Sequence, residues 1–280
     1  MHTLLAERRL PHHTLRTWEW TSSALGCSKR ADVLVPHHRT GPLAALYLLH
    51  GFGGSRSTWL TGTRLAEHLA GRDLLVVLPE SGRRWFVNDD RGVRYEDYLV
   101  HELVPFVDDR YADTLRPGVR GIGGFSMGGA AALMQALRHP DVFSTALSHA
   151  GAFEAPLRTG DPYAELRTAR DTAIPSTEAH ERVWGPSGSP VRARYELTAL
   201  LAGHRPADPP LSVYADVGTG DYPRILGMNR RTARRLTEAG LDTDYRERPG
   251  GHDLAFLDQA LPHSLEFAEN RLGRSRPCVE

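Results

Sequence analysis

Apolar residues in this chain fall into two rhythms. Unbroken runs such as Leu43–Leu49 and residues 74–78 alternate with stretches where apolar positions recur every three or four residues. Unbroken runs of that length suit strands buried on both faces of a sheet. Pro79 closes the second run, and residues 59–70, between the two runs, read as a helix. Residues 95–111 place Tyr95, Tyr98, Leu99, Leu103, Phe106 and Val107 on one helical face. A strand at 119–123 follows, then a helix of strong formers that ends at Arg138, before His139-Pro140. Further strands are expected at 144–148, 211–216 and 243–247, with helices at 229–239, stopped by Gly240, and at 254–272. From residue 43 onward this alternation predicts an α/β chain with a mostly parallel central sheet and helices on both faces.

Two strand-like stretches come earlier. Residues 14–20 and 31–35, the latter stopped by Pro36, suggest an antiparallel pair at the sheet edge. Residues 1–13 are polar and are expected to form a loose arm. Residues 151–210 break the rhythm with many prolines and glycines, Trp184 and a helical patch at 195–201. They are expected to be an insertion within a single domain spanning residues 1–280.

Composition narrows the partners. An apolar fraction of 40% over 280 residues is enough for a substantial core. Lys+Arg and Asp+Glu balance at 34 each, so no net field draws the chain to nucleic acid or membrane. Lys29 is the only lysine, a bias toward arginine rather than a phosphate-binding device. Arg230, Arg231, Arg234 and Arg235 read as the wet face of a helix. Cys27 and Cys278 form no zinc or C-x-x-C spacing and are expected to be free thiols in a reducing compartment. The opening residues lack the apolar core of a signal peptide, and no run is long enough to cross a bilayer. A cytoplasmic protein is the expectation. His12-His13 and His37-His38 lack a third ligand at helpful spacing, so they are expected to be surface histidines and no metal site is predicted.

One motif carries chemistry. Gly124-Phe125-Ser126-Met127-Gly128-Gly129 spells G-x-S-x-G-G between a predicted strand and a predicted helix. That context makes it a nucleophile elbow. Glycines two positions either side of Ser126 remove the side chains that would collide in so sharp a turn. A serine hydroxyl needs a base, and the base needs an acid to hold its tautomer. On this kind of scaffold they follow in the order serine, acid, histidine, each on a loop after a later strand.

The loop after 211–216 offers Asp216 and Asp221. Asp221 can reach across from the loop, whereas Asp216 is expected to tie down the Gly218-Thr219-Gly220 turn. After the last strand comes Pro249-Gly250-Gly251-His252-Asp253, which nominates His252 as base and Asp253 as a helix cap. An oxyanion hole needs two N–H donors already aimed at the developing charge. The backbone of Phe52, within His50-Gly51-Phe52-Gly53-Gly54, and that of Met127 are the candidates. His50 is expected to be structural rather than a second base.

Residues 48–54, 124–129, 218–221 and 250–253 together resemble the esterase D type of α/β-hydrolases. That group includes S-formylglutathione hydrolases, small-ester and feruloyl esterases and secreted mycolyltransferases. Further likeness lies in Tyr95-Glu96-Asp97-Tyr98-Leu99, in Glu102-Leu103 and in residues 245–249, and it runs from about residue 15 to residue 270. The resemblance implies an α/β-hydrolase fold with Ser126 as nucleophile, His252 as base and Asp221 as acid, and with oxyanion donors at Phe52 and Met127. It also implies that residues 84–89 line the acyl site. There Trp85 and Asn88 would contact substrate, unless they serve the core or a turn. The implied activity is cofactor-free hydrolysis of small-molecule carboxylic esters or thioesters through an acyl-enzyme. An acyltransferase using the same groups, a peptidase, and a non-catalytic binding protein on the scaffold are the alternatives. The chain differs from the secreted members in showing no secretion signal, and it has no recognisable glutathione-binding signature.

Overall fold

The computed structural model describes residues 2–159, 176–204 and 210–273. Among them the strands are β1 (His2–Arg9), β2 (His13–Ser22), β3 (Cys27–Pro36), β4 (Leu43–Leu49), β5 (Leu74–Pro79), β6 (Leu115–Phe125), β7 (Thr145–His149), β8 (Ser212–Gly218) and β9 (Asp242–Arg248). They form one sheet in the order β1-β2-β3-β5-β4-β6-β7-β8-β9. Pairings from β5 through β9 are parallel, and those among β1, β2, β3 and β5 are antiparallel. Every residue of β4, β5, β7 and β8 is buried, as unbroken apolar runs in a covered parallel sheet require.

The helices are α1 (Thr58–Gly62), α2 (Leu65–His68), α3 (Tyr95–Asp97), α4 (Val104–Arg110), α5 (Met127–Arg138), α6 (Thr177–Trp184), α7 (Pro190–Tyr195), α8 (Leu197–Gly203), α9 (Pro223–Glu238) and α10 (Leu254–Leu272). They cover both faces of the sheet, giving the expected α/β-hydrolase fold. A π-helical turn, Tyr98–Leu103, joins α3 to α4. Among the described residues no helix is long and apolar enough to cross a membrane.

Four expectations need correction. Residues 2–9 are not a loose arm but the edge strand β1. All eight positions are exposed, so no apolar alternation announces it. Pairing with the open edge of β2 holds it, helped by the Glu7–Arg16 ion pair at 2.7 Å and by His2 stacked on Phe106 at 4.3 Å. His13, expected at the surface, is 1% exposed at the start of β2.

The helix expected at 59–70 is broken at Thr63, whose backbone is extended. The Thr63 hydroxyl donates to Trp59 O at 2.5 Å and accepts from Leu65 N–H at 3.2 Å, so the side chain competes with the helix ladder. The patch at 195–201 divides at Glu196, whose carboxylate caps α8 by accepting from Thr198 and Ala199 N–H at 2.9 and 2.7 Å. Cys27 is an exposed thiol, while Cys278 lies outside the described residues.

Candidate active site

β6 hands over to α5 at Ser126, where φ is 55° and ψ is −112°. Such a backbone costs a non-glycine residue about 1–3 kcal/mol and persists only where its surroundings enforce it. Here they do. Ser126 N–H donates to His149 O at 2.8 Å, and the Ser126 carbonyl accepts from Ala130 and Ala152 N–H at 3.0 and 3.1 Å. A Cβ on Gly128 would lie 2.2 Å from the Leu49 carbonyl oxygen, and one on Gly124 would lie 2.3 Å from the Gly128 carbonyl carbon. The two glycines let the elbow close on itself and against the end of β4.

The acid and histidine loops are laced together beyond β8 and β9. Thr219 N–H donates to Arg248 O at 2.8 Å and Gly220 N–H to Gly250 O at 2.9 Å. A Cβ at Gly218 would meet Gly250 O at 2.3 Å, so the lacing depends on that glycine. Asp221 is thereby carried under His252.

His252 Nδ1 lies 2.9 Å from Asp221 Oδ2, and His252 Nε2 lies 2.8 Å from Ser126 Oγ. A carboxylate only accepts, so Nδ1 carries the proton and Nε2 is left to accept from the serine hydroxyl. Asp221 is buried, and its other oxygen accepts Tyr222 N–H at 2.6 Å. Asp253 caps α10 as expected, accepting Phe256 N–H at 2.8 Å, which fixes the path of the chain from His252 into the helix.

Met127 heads α5, so its N–H has no carbonyl one turn back to bond. Neither this N–H nor that of Phe52 has a hydrogen-bond partner among the described residues. The Gly51 carbonyl accepts from His50 Nδ1 at 2.7 Å and from Gly54 N–H at 3.0 Å. Gly51 C=O and Phe52 N–H belong to one planar trans peptide and point in opposite directions, so holding the first aims the second. Ser81 N–H donates to His50 Nε2 at 2.9 Å, which leaves the imidazole proton on Nδ1. Burial lowers the His50 pKa and keeps the ring neutral. The ring is structural, and its task is to set the Gly51-Phe52 peptide.

Residues 22–268 match the family model described as "Putative esterase". The chain belongs to this esterase family. Ester hydrolysis is accordingly its class of reaction. The esterase is 26% identical over 227 residues to an acetyl esterase of Caldicellulosiruptor saccharolyticus, covering 80% of the chain and 83% of that protein. It is 28% identical over 263 residues to esterase Rv1288 of Mycobacterium tuberculosis, covering 85% of the chain. The chain spans only 56% of that relative's length. Among solved structures, the S-formylglutathione hydrolase of Agrobacterium tumefaciens shares the fold with a TM-score of 0.77 at 17% identity, over 96% of this chain and 99% of that one.

Other candidate residues of the esterase take different places. Asp216 neither meets His252 nor ties down the 218–220 turn. β8 continues past it to Gly218, which keeps Asp216 in register opposite His149. Its carboxylate lies 2.8 Å from His149 Nδ1 and accepts the Tyr214 hydroxyl at 2.9 Å. His149 escaped sequence reasoning, since no motif separates it from the other histidines; only the parallel pairing of β7 with β8 brings it to an aspartate.

Asn88 Oδ1 accepts from Glu96 and Asp97 N–H at 3.1 and 3.3 Å, and its amide donates to Asp97 at 3.0 Å. Its polar atoms hold the start of α3. Trp85 is 3% exposed and packs edge-on against Trp184 at 5.3 Å. Trp85 thus packs the body against the insertion. Tyr195 of α7 reinforces that packing, donating to Glu96 at 2.5 Å and accepting Asn88 N–H at 2.9 Å.

Proposed function

We propose that this esterase is a serine hydrolase that cleaves carboxylic esters or thioesters of small or medium acyl groups through an acyl-enzyme. Ser126 Oγ attacks the acyl carbon while His252 Nε2 takes its proton. Asp221 keeps the imidazole in the right tautomer and balances the imidazolium that forms. The tetrahedral oxygen accepts from Phe52 and Met127 N–H, and the positive end of α5 adds to the field there. Collapse breaks the bond to the leaving oxygen or sulfur, which receives its proton from His252. Water then attacks the acyl carbon and gives a proton to the same imidazole, and as the bond to Ser126 Oγ breaks the acid is released and His252 passes that proton to Ser126.

The observation that carries this reading is the unbroken hydrogen-bond chain from Asp221 through His252 to Ser126, at 2.9 and 2.8 Å. The cycle as written calls on no cofactor and no metal. In the same reading the whole chain acts as one domain, supported by the single sheet that runs from β1 to β9. The 151–210 insertion forms a wall of the acyl pocket. Support comes from the docking of its Trp184 and Tyr195 on the 85–96 segment; residues 160–175 and 205–209 lie outside the described residues. The setting is the cytoplasm, a reading supported by the exposed thiol of Cys27.

The test is covalent labelling by a fluorophosphonate together with ester hydrolysis across a series of acyl chain lengths. The wild-type chain should take the label and release acid, and Ser126→Ala should lose both. A Ser126→Ala protein that keeps either property overturns the reading. Running the reaction with added alcohols measures how the acyl-enzyme divides between water and another acceptor, and predominant transfer would favour the acyltransferase alternative. Exchange of the insertion should alter acyl chain-length preference, and an unaltered preference would remove its role as wall.

A further inference from the structure

Tyr222 directly follows Asp221 and precedes α9. Its ring centroid lies 5.7 Å from that of His252, with the planes at 49°. The other aromatic ring packed on this imidazole, that of Phe125, is 5.0 Å away and only 8% exposed, whereas Tyr222 is 44% exposed. Among the described residues, Tyr222 is therefore the more exposed of the aromatic rings beside His252.

An exposed tyrosine on its own is ordinary. Two constraints set this one apart. Its N–H donates to Asp221 Oδ1 at 2.6 Å, and Pro223 follows it. A residue before proline is held out of the helical region, and Tyr222 has φ −47° and ψ 130°. The ring is thus carried on a backbone fixed to the carboxylate that orients the imidazole. A ligand that stacks there meets a surface already in place, which limits the entropy lost on binding.

Reaction chemistry says which part of an ester arrives at this ring. The departing oxygen must come within about 3 Å of His252 Nε2 to receive its proton. The carbonyl oxygen is drawn away from the imidazole toward the N–H groups of Phe52 and Met127. The alcohol portion accordingly lies along His252, in the space that Tyr222 borders. Resting on the serine-hydrolase reading, we propose that Tyr222 forms the wall of the leaving-group subsite and selects esters whose alcohol carries a flat aromatic ring.

The experiment uses the full chain with benzyl acetate and butyl acetate, esters of one acid with primary alcohols of similar acidity. The readout is the ratio of their kcat/KM values. Tyr222→Ala should lower the benzyl-to-butyl ratio about five-fold, mostly through KM, because an aromatic partner is lost. Tyr222→Phe, which keeps the ring, should hold the wild-type ratio. An unchanged ratio in Tyr222→Ala, or an equal loss in Tyr222→Phe, overturns the proposal while leaving the hydrolase reading intact. A wild-type chain that cleaves neither ester and takes no fluorophosphonate overturns both.

Discussion

Asp216 Oδ1 lies 2.8 Å from His149 Nδ1, and neither side chain meets solvent. This second acid–histidine pair has no serine at its far end, since His149 Nε2 is without a hydrogen-bond partner among the described residues. It supports the backbone instead. His149 O takes the Ser126 N–H, and Asp216 O takes the Ala150 N–H, each at 2.8 Å. The pair sits directly beneath the strained serine and buttresses it.

The two aspartates should therefore separate by experiment. Asp221→Asn is expected to lower kcat about 10⁴-fold, because the imidazole tautomer is lost, with stability close to wild type. Asp216→Ala leaves a buried histidine and a tyrosine hydroxyl without their partner and is expected to cost about 3 kcal/mol of stability. Denaturant unfolding run beside ester kinetics distinguishes them. A stable Asp216→Ala protein with kcat reduced as far as in Asp221→Asn would reverse the assignment.

Gly128→Ala should be among the most damaging small substitutions in the chain. The added methyl would sit 2.2 Å from Leu49 O and 2.6 Å from His50 O, both backbone atoms that no rotamer change can move. A loss of about 3 kcal/mol or more is expected, together with loss of fluorophosphonate labelling. Thermal melts and labelling of the purified variant check this, and a fully active, fully stable Gly128→Ala protein would contradict it.

His50→Ala removes one of the two donors that hold the Gly51 carbonyl. The Phe52 N–H then loses its fixed aim. Removing an oxyanion donor outright costs roughly 10²–10³ in kcat, so loosening one should cost about ten-fold or more, with KM little altered. Steady-state kinetics on a short-chain ester would show the split. A fall seen only in KM would argue that His50 acts on substrate binding.

Stability should decline as pH falls from about 6.5 toward 4. Burial pushes His13 and His180 down to about 4, so both remain neutral in the fold while their unfolded counterparts are becoming charged. In that window the unfolded chain binds more protons, so stability rises with pH across it and is complete above about 6.5. Glu96 acts in the same direction at lower pH. Burial alone would raise its pKa, but hydrogen bonds from His139, Arg138 and Tyr195 hold it at about 2. Its contribution is present above about 4.5 and is lost only as pH falls toward 2. Thermal midpoints measured from pH 7 to pH 4 should fall, and His13→Leu should flatten the slope. A flat wild-type profile would show that these histidines do not govern acid stability.

Much of the site can be read from adjacent residues because the demands there are local. Gly124, Ser126 and Gly128 are legible as an elbow since the turn excludes side chains at fixed spacing. Asp253 is legible as a cap because capping is a contact with the next helical turn. Residues 254–272 are legible as a helix to both ends. β1 is not, because an edge strand exposed at all eight positions has no apolar periodicity to show. The break at Thr63 is equally hidden, since a hydroxyl that competes with the helix ladder does not disturb the apolar pattern.

The sequence by itself determined the elbow, the order of the candidate serine, acid and histidine, and the alternation that makes a parallel sheet. These follow from steric and periodic rules that act over a few residues. Only the tertiary structure brought Asp221 rather than Asp216 to His252, gave His149 its partner, set Asn88 against the start of α3 and brought Tyr222 beside His252. Such outcomes depend on strand register and on where loops meet, through contacts between positions far apart in the chain, and no local pattern of residues encodes them.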